Sequence, residues 1–66
     1  MENALRPLLV NSLQIAWDYL ERTGEIDDPL VASRFLSHHI ELMIRSGERR
    51  RLMLSNKAIT AYERFR

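Results

Sequence analysis

The feature that most constrains the fold of this chain is the spacing of its apolar residues over Leu5–Leu20. They recur at steps of three and four residues, which is the period of an α-helix with a buried side. Pro7 is tolerated only in a first turn, so we expect the helix to begin between Asn3 and Pro7, with Asn3 as its cap. Gly24 supplies the left-handed residue that ends a helix. The spacing therefore predicts a first helix over about residues 4–23.

A second helix has signals at both of its ends. Asp28 precedes Pro29, which provides a capping carboxylate and a proline at the first helical position. The negative charge of Asp28 also suits the positive end of the helix dipole. Gly47 ends the apolar helical pattern. These signals predict a second helix over residues 29–45.

The C-terminal segment allows two interpretations. In the first, which the pattern favours, one helix covers about residues 48–65 and places Leu52, Ile59, Tyr62 and Phe65 on one apolar face. In the second, the arginines of this segment lie in a loop, and Ser55 caps a shorter helix that begins at Asn56. Both interpretations keep the segment helical.

The fold class follows from these three segments. No stretch of the sequence has the two-residue alternation of a β-strand, and 66 residues are enough for one small domain only. We therefore predict an all-α fold, a single helical domain over residues 1–66. It is a small bundle of two long helices and a C-terminal helical segment, completed by homodimerisation.

Homodimerisation is predicted because the first two helices carry more apolar surface than one short helix can cover. The apolar side chains of the first helix spread over about 220°, roughly twice what a surface helix needs. A monomer would expose a larger apolar patch than soluble proteins usually tolerate, and a symmetric dimer commonly covers such a patch. The residues expected to carry folding and assembly are Leu9, Leu13, Trp17, Leu20, Phe35, Leu36, Ile40 and Met43. The alternative is a monomer with scattered exposed apolar side chains.

Charge is distributed unevenly along a chain whose formal net charge is +1. Residues 1–44 contain three bases and seven acids, whereas residues 45–66 contain seven bases and two acids. The basic segment offers candidate contacts to an acidic partner or to phosphate groups: Arg49, Arg50, Arg51 and Lys57. Successive arginines on a helix point in different directions, so we expect solvation, or pairing with the acidic part of the chain or of a second copy, ahead of phosphate binding.

The adjacent histidines His38 and His39 do not predict a metal site. Neighbouring helical residues point about 100° apart, unlike the i, i+4 pairs that bind metals on helices. His39 lies within the apolar arc, and His38 forms only one i, i+3 pair with Glu41, whereas carboxylate-bridged metal bundles need several. The chain has no cysteine and no recognisable nucleophile–base pair. The sequence therefore predicts no catalytic residue, no cofactor and no metal.

The N-terminal region carries no recognisable targeting signal. It opens with the acidic Glu2, and its apolar run is too short for a secretory core or a membrane span. We expect a cytoplasmic protein with no membrane partner. The predicted function is that of a non-enzymatic, homodimeric protein–protein interaction module, with a different protein as the other candidate partner. The alternative function is a small nucleic-acid-binding regulator that uses the basic C-terminal segment.

Overall fold

The computed structural model describes residues 2–66, and the side chains from residue 5 onward. Helix α1 covers Glu2–Arg22, α2 covers Pro29–Arg45 and α3 covers Arg51–Phe65. Each helix packs against both of the others, and the bundle measures 34 × 18 × 17 Å along its principal axes. The predicted all-α bundle of three packed helices is confirmed, and no strand occurs within residues 2–66.

Helix α1 begins earlier than the sequence predicts. Its first residue is Glu2, so Pro7 lies inside the helix, beyond the first turn. Proline has no N–H to donate to the carbonyl four residues before it, and α1 therefore lacks one backbone hydrogen bond near its start. The backbone of Asn3, the predicted cap, lies within α1, and its side chain is outside the described part of the chain.

Helices α1 and α2 end in the same way. Each is followed by a glycine with positive φ, Gly24 at +74° and Gly47 at +110°. In both, the amide after the glycine donates to a carbonyl five residues earlier: Glu25 to Leu20 at 2.9 Å, and Glu48 to Met43 at 3.0 Å. This hydrogen bond is characteristic of the Schellman motif, whose left-handed residue favours glycine. The two glycines therefore set the ends of the first two helices.

The start of α2 is capped by the side chain of Asp28. One carboxylate oxygen accepts hydrogen bonds from the amides of Leu30 at 3.0 Å and Val31 at 3.3 Å. Pro29 occupies the first turn, where its missing N–H costs nothing. Helix α2 covers the residue range that these signals predict.

The start of α3 lies between the two interpretations of the sequence. The helix begins at Arg51, and Arg50 before it has an extended backbone. Residues 48–50 are outside α3 because they complete the turn that ends α2. Ser55 lies inside α3, with its hydroxyl 3.1 Å from the carbonyl oxygens of both Arg51 and Leu52, so it caps no helix.

The core consists of residues that recur mainly at four-residue steps in each helix. The fully or almost fully buried residues are Ser12, Ala16 and Leu20 of α1, Ala32, Leu36, Ile40 and Ile44 of α2, and Leu54, Ser55, Ala58, Ile59 and Tyr62 of α3. Small residues from every helix belong to this set, and they allow the helix axes to approach closely.

The buried face of α3 agrees only in part with the apolar face that the sequence predicts. Ile59 and Tyr62 are almost fully buried, whereas Leu52 and Phe65 are 65% and 57% exposed. Leu54 and Ala58 are also fully buried. The small side chain of Ala58 fits between the other helices. Leu52 and Phe65 lie one near each end of α3, where the neighbouring helices cover less of its surface.

Candidate interaction surface

Helix α2 has two apolar faces. Its core face is buried within the bundle and consists of Ala32, Leu36, Ile40 and Ile44. The second face, which we call the outer seam, consists of Val31, Phe35, His38 and Leu42. Steps of four, three and four residues place these four side chains together, about 150° around the helix from the core face. The outer seam therefore lies on the side of α2 away from the core face, and within it Phe35 alone packs against the core.

The ends of the outer seam are exposed to solvent. Val31 is 42% exposed and Leu42 is 47% exposed, and His38 between them is also exposed. Phe35 is half-buried because it packs against the core. The seam is thus a strip of three apolar side chains and one histidine, of which Phe35 packs against the core and the other three are exposed.

Aromatic stacking extends the outer seam onto α3. The ring of Phe35 stacks on that of Phe65 with centroids 4.6 Å apart, and on the imidazole of His39 at 5.4 Å. Tyr62 meets Phe35 edge-on at 5.7 Å from the buried side. Phe65 is thereby held beside the seam although more than half of its surface is exposed.

The residues predicted to carry folding and assembly fall into two groups. Leu20, Leu36 and Ile40 are fully buried. The others are half-buried and packed against the core: Leu9, Leu13, Trp17, Phe35 and Met43. Of all these residues, only Phe35 belongs to the outer seam.

The sequence analysis did not place Val31, Leu42 or Phe65 among the residues expected to carry folding and assembly, and they are 42%, 47% and 57% exposed. The four-three-four spacing was the signal that could have found the first two. It could not show which face of α2 would be covered, since both faces are apolar.

A second apolar surface lies between α1 and α2. Val10, Leu13, Gln14, Trp17 and Ser33 line an open groove of about 290 Å³. Leu13 and Trp17 already pack against the core, so Val10, at 52% exposure, is the main apolar side chain left to a partner. This groove is therefore a second apolar surface that the bundle leaves partly open.

Two of the three successive arginines have partners inside their own turn. The Arg49 guanidinium donates to the carbonyl of Ile44, at the C-terminal end of α2, and to that of Glu48. The Arg50 guanidinium pairs with the Glu48 carboxylate at 3.1 Å. These arginines therefore stabilise the turn between α2 and α3, and within residues 5–66 neither forms an ion pair with an acid of α1 or α2.

The Glu48 carboxylate is the centre of this turn. It accepts hydrogen bonds from the amides of Arg49 at 3.1 Å and Arg50 at 3.0 Å, in addition to the Arg50 side chain. The Arg50 side chain and these amides lower the pKa of Glu48 from 4.5 to about 2. The ionised form of Glu48 is therefore the one that the fold stabilises.

The other two basic candidates lie on α3. Arg51 is exposed at its start, and among residues 5–66 the structure gives its side chain no ion-pair partner. Lys57 lines an open groove of about 340 Å³ together with His39 and Arg64. The four predicted basic contacts therefore do not form one patch.

The opposite end of the bundle is acidic. Arg66 binds the carboxylates of Asp27 at 3.2 Å and Glu25 at 3.7 Å, and so ties the end of α3 to the turn between α1 and α2. Hydrogen bonding to Glu25 raises the pKa of Glu63 beside them. Since α2 separates the two turns, the bundle has an acidic end and a basic end.

Within the described part of the chain, no group of three or more histidine or carboxylate side chains is arranged to hold a metal ion. His39 stacks on Phe35, and His38 lies in the outer seam. Among the described residues, no helix is long and apolar enough to cross a membrane.

Comparison with known proteins gives no indication of the function of this chain. No protein family matches this chain, and neither a curated protein nor a solved structure shows significant similarity to it.

Proposed function

We propose that this chain is a non-enzymatic, cytoplasmic protein–protein interaction module that forms a homodimer. The observation that carries the proposal is the outer seam: α2 has two apolar faces, and the bundle buries only one of them. A second copy that contacts Val31, Phe35 and Leu42 removes this apolar surface from water. Phe65 enlarges the contact beyond α2.

The size of the seam sets the expected strength of the dimer. From Val31 to Leu42 the seam extends about 16 Å along α2. Even with Phe65, such a contact is at the small end of stable protein interfaces, below roughly 1,200 Å² in total. A dissociation constant of the order of micromolar is consistent with that size. The dimer should therefore dissociate on dilution.

Sedimentation velocity over a dilution series from about 1 mM to about 1 μM tests this proposal. The wild-type chain should be almost entirely dimeric at the highest concentration and substantially dissociated at the lowest. Val31→Glu/Leu42→Glu places two charges in the seam and should remain monomeric throughout.

The matched control for these charges is Val10→Glu/Leu30→Glu. Val10 and Leu30 are 52% and 61% exposed and lie outside the seam, so this variant should dimerise like the wild type. Circular dichroism should show the same helix content in all three proteins. A monomeric wild type at every concentration, or an equal loss of dimer in the control, would contradict the proposal.

A second candidate function is nucleic-acid binding through the basic residues, which is favoured by the clustering of Arg45, Arg49, Arg50 and Arg51 at one end of the bundle. Fluorescence anisotropy with duplex DNA and with RNA at low and high salt tests it. Arg51→Glu/Lys57→Glu is the informative variant, because Arg49 and Arg50 also hold the turn together. Absent binding at low salt, or binding that this variant leaves unchanged, rejects nucleic-acid recognition.

A further inference from the structure

The outer seam has a spacing that reads the same in both directions. Its residues are separated by four, three and four positions, so Val31 and Leu42 are equally far from the centre of the seam, as are Phe35 and His38. If two copies of α2 pack antiparallel around a twofold axis at this centre, Val31 of one copy meets Leu42 of the other. Phe35 then meets His38. Every apolar seam residue gains a partner in the same register.

Phe35 is suited to contact an imidazole. Within its own chain it already stacks on His39 with the ring planes 9° apart. The contact with His38 of a second copy therefore repeats a pairing that the ring makes inside the bundle. In a parallel pair, by contrast, His38 of one copy would face His38 of the other.

The charges beside the seam favour the same direction. Asp28 lies three residues before Val31, and Arg45 lies three residues after Leu42, so the antiparallel register places Asp28 of one copy opposite Arg45 of the other. Arg45 is well exposed, and its pair with Glu41 at 3.6 Å lies on the surface. Parallel packing would instead place Asp28 near Asp28 and Arg45 near Arg45. Antiparallel packing also opposes the two helix dipoles.

We infer that the homodimer forms by antiparallel packing of the two α2 helices, with Val31 against Leu42 and Phe35 against His38 across the twofold axis. This inference rests on the proposed function and specifies its geometry. The acidic end of each bundle then lies beside the basic end of the other, and the interface has no position where two like charges face each other at the seam ends.

Cysteine cross-linking tests the direction, since the chain has no cysteine of its own. Val31→Cys and Leu42→Cys are prepared separately, oxidised alone and as a mixture, and resolved by non-reducing electrophoresis and mass spectrometry. A disulfide requires Cα atoms roughly 4.4–6.8 Å apart. We expect the mixture to form the covalent heterodimer and each variant alone to remain largely unlinked. Leu30→Cys, outside the seam, measures the background of random collision.

The double variant Val31→Cys/Leu42→Cys provides a second readout. Its two cysteines are about 16 Å apart along α2, too far for a bond within one chain, so it should link almost completely into a dimer. Self-linking of either single variant as efficient as that of the mixture overturns the antiparallel geometry. Background linking in every sample, with a dimer still present by sedimentation, also overturns the antiparallel geometry. The homodimer would then form through another surface. A monomer by sedimentation overturns both.

Discussion

The core face and the outer seam of α2 are both apolar and both regular, and yet only one of them is inside the protein. Leu36 and Ile40 on the core face are fully buried, whereas Val31 and Leu42 on the outer seam are exposed by 42% and 47%. The difference shows that apolar spacing identifies a face able to be buried. The positions of α1 and α3 decide which face the fold itself buries.

Side-chain size accompanies this choice. The core face begins with Ala32, which takes little space between helices, whereas the outer seam contains the bulky ring of Phe35. Phe35 still reaches the core at its edge, through its contact with Tyr62. The bundle therefore packs against the core face and leaves both ends of the outer seam exposed.

The largest expected effect is on the free energy of unfolding, which should distinguish the core face of α2 from its outer seam. Leu36→Ala should lower the free energy of unfolding by about 2–5 kcal/mol, because it removes a buried side chain and leaves a cavity. Leu42→Ala should change it by less than about 0.5 kcal/mol, because Leu42 is half exposed. Urea unfolding followed by circular dichroism, at protein concentrations low enough to keep the chain monomeric, measures both.

The same two variants should reverse their order in assembly. Leu42→Ala should weaken the dimer measured by sedimentation, whereas any folded fraction of Leu36→Ala should retain the outer seam. Equal losses of stability in the dilute samples would mean that the monomer itself buries Leu42, and the distinction between the faces would then be wrong.

A smaller effect concerns two buried serines, Ser12 of α1 and Ser55 of α3. Ser12 and Ser55 are both fully buried, but the Ser12 hydroxyl has no hydrogen-bond partner among the described residues, whereas the Ser55 hydroxyl lies 3.1 Å from two carbonyls. An unpaired buried hydroxyl costs about 1–3 kcal/mol. Ser12→Ala should therefore raise the free energy of unfolding by about 1 kcal/mol, as measured by urea unfolding.

Ser55→Ala is the matched control for this change. It removes a hydroxyl that has acceptors, so it should leave the stability unchanged or lower it slightly. Neither substitution should alter dimerisation, because both side chains are fully buried and neither belongs to the outer seam. If both variants lose stability equally, the Ser12 hydroxyl is hydrogen-bonded in solution.

The smallest expected effect concerns Glu48, in the turn between α2 and α3. Because the pKa of Glu48 falls from 4.5 to about 2 on folding, its ionised form contributes stability above pH 4.5. That contribution is lost as the pH falls from 4.5 towards 2, when Glu48 becomes protonated in the folded protein as well. Glu48→Gln should therefore be less stable than the wild type at pH 7, and the difference should shrink towards pH 2.

Urea midpoints of the two proteins at several pH values measure this difference. Glu41→Gln provides the control, since Glu41 makes only an exposed pair with Arg45. A difference between Glu48→Gln and wild type that stays constant from pH 7 to pH 2 would show that the carboxylate charge is not what holds the turn.

Several features of the fold could be predicted because they depend on residues close together in sequence. The capping carboxylate of Asp28 and the positive φ of Gly24 and Gly47 mark helix ends through local geometry alone. The start of α3 could not be predicted in this way. Residues 48–50 take part in the preceding turn, and the Arg49 guanidinium reaches back to the Ile44 carbonyl.

The candidate surface was predictable only in part. An excess of apolar surface on the first two helices was evident from the spacing, and Phe35 was among the residues expected to use it. The exposure of Phe65 was not, because it follows from the way α3 lies against α2. The sequence analysis expected the successive arginines to be solvated or to pair with the acidic part of the chain, whereas in the fold Arg49 and Arg50 hold the turn between α2 and α3.

The sequence by itself determined that this chain forms three helices, where α2 begins and ends, and that the first two helices carry more apolar surface than one short helix can cover. These properties depend on periodicity and on capping groups within a few residues of one another. The tertiary structure decided which face of α2 is buried and which side chain of α3 stands beside the exposed one. Those outcomes depend on how helices distant in sequence pack their side chains together, and packing is a property of the assembled bundle.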